Sequence, residues 1–476
     1  MPKLQKSYIT KLQGKFFLRK GIEKKPPFRY NKTKKEEKLS DNINNQISKK
    51  FNCFFAKMRK HITKPEADFL KDLLVGLIRT GDPIISKVSK SLREDIKEKN
   101  TDKRLRRNIG KKDFWKEILF SYLKINRRII ESMRYIVIDD TDIQKKYAKK
   151  MEGLCRVRDG DKKDKKRKIG NGYPLLNILG VGKDREDIIS VYSELFSFKK
   201  FNMESIHTKV FEALETVFSV VKNSTHILVF DRAFDAIRVI EWLIGKGFYF
   251  VIRLREQRHL YIDGKKVGYK EWRRIPLFKE IIVDKITRKN RIKKEHYLAG
   301  IKEVSLPYSK YRKEKLWLLV MKKKRVKEKD NGFSYFLGRV PEEMPPEEAF
   351  NEMLSAYGAR WKIEEFHRQI KQDFSVENVQ MKRYEALRNM MTIVWTIASY
   401  FVLQRFKRLM IGIIGERMSN RKQRQYLKKE WKYIYYRIFE ELNYWFTQIR
   451  FRRGVWLESN DKTNFPSLFP ELEVYL

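Results

Sequence analysis

Residues 135–140 read Tyr-Ile-Val-Ile-Asp-Asp, a short apolar run that ends in two acids. An apolar run of this length, rich in β-branched residues, is typical of a buried strand. Similar runs predict strands over 173–181, 188–195, 226–230 and 248–254, and helical spacing marks 203–221 and 234–244. Three strands followed by helix, strand, helix and strand predict a mixed α/β fold.

Two acids follow strands of this predicted sheet: Asp139 after the first strand and Asp231 after the strand at 226–230. Carboxylates at the carboxyl ends of strands face the crevice where open α/β sheets hold ligands. An Asp at such a position also commonly caps a helix or forms a turn, so both interpretations stay open from this feature alone.

The regions on either side of this core differ in character. Residues 1–130 predict a basic, mobile arm to about residue 60, followed by helices that start at Thr63, Ile84 and Phe114. Thr63 and Glu66 form a capping-box pattern at the first of these helices. This helical unit is either a DNA-binding head or an ordinary helical layer.

The chain after residue 130 predicts four further units. We expect residues 131–254 to form the first part of the core, 255–345 a β-rich insertion, 346–410 the remainder of the core and 411–476 a helical tail that is a candidate dimerisation element. Pro345-Pro346-Glu347-Glu348 predicts a helix start, and that helix is expected to run to about Phe374. A basic run at 162–168 is expected to be a loop that lies along DNA or is simply solvated.

The charge balance favours a polyanionic partner. The chain has 107 Lys and Arg against 60 Asp and Glu, a net charge of +47, yet 42% of its residues are hydrophobic. A folded protein of this charge is expected to bind nucleic acid.

Two cysteines exclude a disulfide framework and a Cys-x-x-Cys zinc site. The uncharged stretch at 389–404 is too short for a comfortable membrane span and predicts a buried helix. We therefore expect a cytoplasmic protein without a membrane segment.

The helix after Pro346 carries a polar stripe. At helical spacing, Tyr357, Arg360, Glu364 and Lys371 fall within about 60° of one another, with Trp361 among the apolar partners. A solvated face with an Arg360–Glu364 ion pair explains the stripe equally well. Three carboxylates on separate elements, however, suit a site for two Mg²⁺ or Mn²⁺ ions that transfers phosphoryl groups.

This stripe resembles the Y-R-E-K signature of bacterial insertion-sequence transposases of the DDE class. The pattern is Tyr357-x2-Arg360-x3-Glu364-x6-Lys371, and the sequences Ile138-Asp139-Asp140-Thr141 and Val229-Phe230-Asp231-Arg232 resemble the two acidic motifs of the same family. The resemblance covers about residues 60–410. It implies an RNase H-like core in which Asp139, Asp231 and Glu364 bind two divalent ions, with Asp140 as the alternative first ligand.

The resemblance also implies a reaction and its partners. One strand is nicked at the terminal inverted repeat, the freed 3′-hydroxyl attacks the opposite strand to form a hairpin, and the reopened end is joined to target DNA. A homodimer would hold both transposon ends. Tyr357, Arg360 and Lys371 would contact end phosphates and steady a flipped base, and Arg232 is a further candidate DNA contact. Trp317 is a candidate for stacking on that base, although its Leu-Trp-Leu-Leu strand is also typical of a core.

Two other functions remain open. The chain is alternatively a catalytically silent DNA-binding protein derived from a transposase, or an RNase H-like nuclease that cuts DNA without strand transfer.

Overall fold

The computed structural model describes residues 34–158, 169–201, 205–222, 225–286, 292–307, 310–324, 332–417 and 434–448. The first 33 residues, the basic run at 162–168 and the chain beyond residue 448 lie outside this description. The described residues form a mixed α/β structure in which one large sheet is surrounded by helices.

From residue 34 onward, where the described structure begins, five helices precede the sheet: α1 (Lys34–Met58), α2 (Lys64–Thr80), α3 (Ile85–Leu92), α4 (Glu98–Ile109) and α5 (Phe114–Glu131). The capping box predicted for α2 is present, because Glu66 accepts hydrogen bonds from the backbone N–H and the hydroxyl of Thr63. The prediction of a mobile arm is wrong for α1, because its apolar residues Ile43, Ile47 and Met58 are buried. Its Phe51 ring packs against Phe401 and Phe446 far along the chain.

Six strands and three helices form the first part of the core. In chain order they are β1 (Tyr135–Gln144), β2 (Cys155–Arg158), β3 (Ile169–Val181), β4 (Ile188–Leu195), α6 (Phe198–Phe201), α7 (Ile206–Phe218), β5 (Ile227–Phe230), α8 (Ile237–Gly245) and β6 (Tyr249–Arg253). β3 lies antiparallel to β1, while β5 pairs parallel with β1 and with β6. The predicted order of elements is therefore confirmed, with β2 as an addition.

The β-rich insertion continues this same sheet. It contains β7 (Leu260–Ile262), β8 (Lys265–Val267), α9 (Tyr269–Trp272), β9 (Lys279–Ile286), β10 (Ile292–Val304), β11 (Leu316–Lys323) and β12 (Phe333–Arg339). β12 pairs antiparallel with β6, and β11, β10 and β9 follow outward, which gives a ten-stranded sheet; β7 and β8 form a separate hairpin.

The helices after the sheet are α10 (Pro346–Ala359), α11 (Trp361–Asp373), α12 (Tyr384–Thr392), α13 (Lys407–Arg417) and α14 (Ile434–Gln448). Two π-helical stretches, Ile393–Ala398 and Phe401–Arg405, extend α12. The segment Tyr384–Arg405 is long and apolar enough to cross a membrane, but its apolar window is entirely buried inside the protein. It is the predicted core helix and does not indicate a membrane protein.

One continuous hydrophobic core unites the N-terminal helices, the sheet and α14. Asn389 on α12 shows how tightly they join, because its side-chain amide donates to the carbonyls of Ile109 and Lys111 at 2.8 and 2.7 Å. Asn443 on α14 donates in the same way to Ile78 and Arg79. The N-terminal helices are thus packed as a helical layer; DNA binding by this region stays a prediction.

Candidate active site

Two acids meet where β1 and β5 separate. The last parallel pair between these strands is Ile138 with Phe230, so the next residues along the two chains are Asp139 and Asp231. β1 continues beside β3 as far as Gln144, whereas the chain after β5 turns away through a 3-10 turn that begins at Arg232. The strand register therefore places Asp139 and Asp231 next to each other at the carboxyl end of the β1–β5 pair.

Asp139 and Asp140 point to opposite faces, because β1 runs through both residues as a regular strand. The guanidinium Nη1 of Arg360 lies 3.7 Å from Oδ2 of Asp139. The other oxygen, Oδ1, accepts a hydrogen bond of 3.0 Å from the backbone N–H of Asp140. Asp139 is therefore the acid that faces the stripe on the helix after Pro346.

The single helix expected from Pro346 to Phe374 is instead two helices joined at Arg360. Here the backbone N–H of Arg360 bonds to Tyr357 O, three residues back, at 3.1 Å. Gly358, a poor helix former, precedes this break and explains why the prediction of a continuous helix is wrong. As a result, Arg360 stands at the start of α11, and Glu364 lies in its first turn.

Arg360 connects the acids from the helix and the sheet. Its Nη2 donates to Oε1 of Glu364, and its Nη1 faces Asp139. All three side chains are largely withdrawn from solvent, with 14, 22 and 17% exposure for Arg360, Glu364 and Asp139. A charged hydrogen bond in such surroundings is stronger than one at the surface.

Burial and neighbouring charges change the protonation of Asp139. Burial raises the pKa of Asp139 to about 8, and the charges of Asp140, Asp231 and Glu364 act in the same direction while Arg360 opposes them. Burial alone would lower the pKa of Arg360, but Tyr357, Glu364, Asp231 and Asp139 together raise it above its usual value. The site thus concentrates negative charge around one buried cation.

The residues present fit a divalent cation. Oε2 of Glu364 is buried and has no hydrogen-bond partner, which leaves a carboxylate oxygen available for another ligand. Carboxylate oxygens are the ligands that Mg²⁺ and Mn²⁺ prefer. Within the described residues, however, no three His, Cys, Asp or Glu side chains already converge as a metal-binding group. Arg360 lies between Asp139 and Glu364, where its guanidinium faces both carboxylates.

The other residues of the predicted stripe lie on either side of this cluster. The ring of Tyr357 packs on Phe336, with centroids 4.3 Å apart, and Arg360 lies 5.7 Å from its centre. Lys371, two turns beyond Glu364, donates to Asp142 O at 2.7 Å and lies 3.7 Å from the carboxylate of Glu377. Arg232 is half-buried in the turn directly after Asp231.

The structure places the two tryptophans singled out from the sequence in different surroundings. Trp361, interpreted as an apolar partner of the helix, is 52% exposed beside Arg360. Trp317 is only 5% exposed, and its β11 position pairs with Gly338 of β12 inside the sheet. Trp317 therefore belongs to the core, as its strand pattern indicated, and its own ring is not open for a base to stack on.

A polar pair that the sequence reasoning missed connects α11 to the sheet. Asn177 on β3 is the cross-strand neighbour of Asp139, and its Nδ2 lies 3.0 Å from Nε2 of His367 on α11. Burial lowers the pKa of His367 to about 3, so the neutral ring accepts this hydrogen bond. Ser193 donates to the amide oxygen of Asn177 at 2.5 Å. A single Asn within an apolar strand was the available signal.

Comparison with known proteins agrees with this architecture. Residues 207–401 match the family model described as a transposase DDE domain. The matched range includes Asp231, Tyr357, Arg360, Glu364 and Lys371 and begins after Asp139. No curated protein matches the chain significantly.

The family match supports a DDE transposase, a class of nucleic-acid-processing enzyme that acts on DNA and generally uses divalent metal. The mixed sheet with its surrounding helices is consistent with an RNase H-like transposase domain.

Proposed function

We propose that this protein is a cut-and-paste transposase that binds the terminal inverted repeats of a bacterial insertion sequence, excises the element and joins it to target DNA. The observation that carries the proposal is the β1–β5 register, which makes Asp139 and Asp231 neighbours, together with the buried bridge of Arg360 between Asp139 and Glu364. An ordinary solvated helix face would not bring three acids from distant parts of the chain to one buried cation.

Asp139, Asp231 and Glu364 would hold Mg²⁺ or Mn²⁺, with two ions in each site. When bound, such ions ready the attacking hydroxyl and stabilise the leaving oxygen of a phosphoryl transfer. The unpartnered Oε2 of Glu364 and the raised pKa of Asp139 both fit acids that lack their cation. Asp140, on the opposite face of β1, is the less suitable first ligand.

The chain's own cations would position the DNA. Arg360 is suited to bidentate contact with a phosphate once it leaves the carboxylates, and Lys371 would hold a second phosphate further along α11. Tyr357 and Arg232 flank the acids and would contact the same transposon end. These residues match the Y-R-E-K and acidic motifs of the hairpin-forming transposases, which favours excision through a hairpin.

The core is proposed to be RNase H-like in detail. Among the described strands the order β4-β3-β1-β5-β6, with β3 antiparallel and β5 and β6 parallel to β1, supports this assignment. The protein would act in the bacterial cytoplasm, associated with the nucleoid, as a homodimer that holds both ends. The described part of the C-terminal tail, α14, buries its apolar face within its own chain, so dimer contacts would come from other surfaces.

The test is excision from a plasmid that carries the gene with its native flanking DNA. In Mg²⁺ the wild-type protein is expected to excise the element, and Asp139→Ala, Asp231→Ala and Glu364→Ala are expected to abolish excision. Asp140→Ala is the matched control and is expected to retain activity. Excision by any of the three variants at the wild-type level would remove that residue from the site.

Two further results would replace the proposal. DNA-end binding without cleavage in either Mg²⁺ or Mn²⁺ would identify a silent DNA-binding protein. Cleavage of the ends without joining of pre-cleaved ends to a target would identify a nuclease.

A further inference from the structure

A basic cleft lies well away from the candidate active site. It has a volume of about 430 Å³ between the end of α1 and the last turns of α5, and it is lined by Lys57, Lys124, Ile125, Arg127, Arg128 and Glu131. We call it the α1–α5 cleft. Four of its six lining residues are cations.

The one acid among these lining residues is already engaged. Glu131 accepts hydrogen bonds from Nε of Arg127 at 2.7 Å and from the backbone N–H of Lys222 at 2.9 Å. Lys57, Lys124 and Arg128 are exposed, and within the described structure none of them forms an ion pair with a carboxylate. The cleft therefore presents three unneutralised charges to solvent.

Neighbouring groups respond to this positive charge. His61 follows α1, and its pKa is lowered first by burial and then by the charges of Lys124 and Lys60, so its ring stays neutral beside them. The ammonium of Lys124 also lies 4.3 Å from the centre of the Phe120 ring, which is 43% exposed. Positive groups from two helices thus converge on one small area.

The position of the cleft separates it from the acids. It lies at the edge where β1 and β5 begin, because Glu131 bonds to Lys222 there and Arg134 donates to Thr225 O at 2.7 Å. Asp139 and Asp231 stand at the other ends of the same strands. At roughly 3.3 Å per residue, β1 alone separates Tyr135 from Asp139 by about 13 Å.

We propose that the α1–α5 cleft binds the phosphate backbone of double-stranded DNA at a second contact, independent of base sequence. The inference rests on the proposed function, since it assumes that the protein handles DNA. The bound segment is either a continuation of the duplex in the active site or a separate duplex. The cleft offers Lys and Arg side chains that lack an ion-pair partner among the residues that the structure describes, and no Asn or Gln amide in this part of the chain lines it to read base edges. Such a lining suits the phosphates of either duplex.

The test uses the full-length chain with Lys57→Gln, Lys124→Gln and Arg128→Gln combined. These side chains are exposed, so the fold is expected to persist. The control combines Lys99→Gln, Lys103→Gln and Arg107→Gln, three exposed cations on α4, and removes the same charge. Binding is measured by fluorescence anisotropy over a salt series, with a duplex of about 15 base pairs and one of about 60.

The cleft variant is expected to lower the salt slope of log K by about 2 to 3, as three lost phosphate contacts require. If the cleft variant loses affinity only for the 60-base-pair duplex, the cleft binds a continuation of the duplex in the active site. If it loses affinity only for a second short duplex, the cleft binds a separate duplex. Equal losses in the cleft and control variants, or a greater loss for single-stranded RNA than for duplex DNA, would overturn the proposal.

Failure of this proposal is distinguishable from failure of the proposed function. If Glu364→Gln removes cleavage while the cleft variant binds as wild type, the active-site assignment stands and the cleft does not bind DNA. If no cleavage occurs under any condition but the cleft variant shows the expected fall in the salt slope of log K, the cleft binds DNA and the enzymatic proposal fails.

Discussion

Replacing Asp139 with Asn is the most informative single change, because it removes a charge and preserves the shape of the side chain. In the folded protein the pKa of Asp139 is raised from 3.8 to about 8. The folded state therefore retains a proton that the unfolded state releases above pH 4. The wild-type free energy of unfolding must fall as pH rises from about 4 to 8 and then level off.

The size of the expected change in the free energy of unfolding follows from the shift in the pKa of Asp139. At about 1.4 kcal/mol per pH unit, the wild type loses up to about 6 kcal/mol across the window, an upper estimate for a partly accessible site. Asp139→Asn has no such titration. Without metal the variant is expected to equal the wild type near pH 4 and to exceed it by several kcal/mol at pH 9.

The assay is urea unfolding at pH 4, 7 and 9 in a chelating buffer, repeated with excess Mg²⁺. Added Mg²⁺ is expected to stabilise the wild type at pH 9 and to leave the variant almost unchanged, because the cation needs the ionised carboxylate. Asp95→Asn, an exposed substitution on the surface, is the control. A difference at pH 9 below about 1 kcal/mol, or equal Mg²⁺ responses, would refute this reasoning.

Three other changes test the surrounding structure. Asn177→Ala should lower the free energy of unfolding by about 1–3 kcal/mol, because it leaves His367 and Ser193 without their hydrogen-bond partner. It should also slow DNA cleavage by loosening α11. Urea unfolding and a cleavage time course measure the two effects, and an unchanged stability would contradict the observed hydrogen bonds. Arg360→Lys should destabilise the metal-free protein by about 1–3 kcal/mol, since one ammonium does not reproduce the guanidinium fork, and stability equal to the wild type in chelator would argue against the bridge. Lys371→Ala should weaken binding of a transposon-end duplex and lower the salt slope of log K by about 1 in an anisotropy titration; an unchanged slope would exclude a phosphate contact.

The pattern of apolar and polar residues along the chain predicted the core, because each strand in the first part of the core is an apolar run bounded by polar residues. Residues 188–195 illustrate this directly, since the predicted strand and β4 coincide. Helix α4 was missed because its sequence is almost entirely charged and polar, and only Thr101, Leu105 and Ile109 are buried. The packing of α1 was missed because its partners, Phe401 and Phe446, lie more than 300 residues away.

The site was predictable as a set of residue types but not as an arrangement. Helical spacing grouped Arg360 with Glu364, and that pair exists. The neighbouring positions of Asp139 and Asp231 depend on the β1–β5 register, which no local pattern specifies. Similarly, Asn177 acquires its partner His367 only when α11 packs on β3, so its importance emerges from tertiary structure.

Direct binding of Mn²⁺ to the full-length protein, followed by electron paramagnetic resonance near pH 8, tests the central claim that acids from β1, the end of β5 and α11 form one cation site. Asp139→Asn, Asp231→Asn and Glu364→Gln are each expected to weaken binding at least tenfold, while Asp140→Asn has a much smaller effect. Wild-type affinity in any of the first three variants would contradict a shared site.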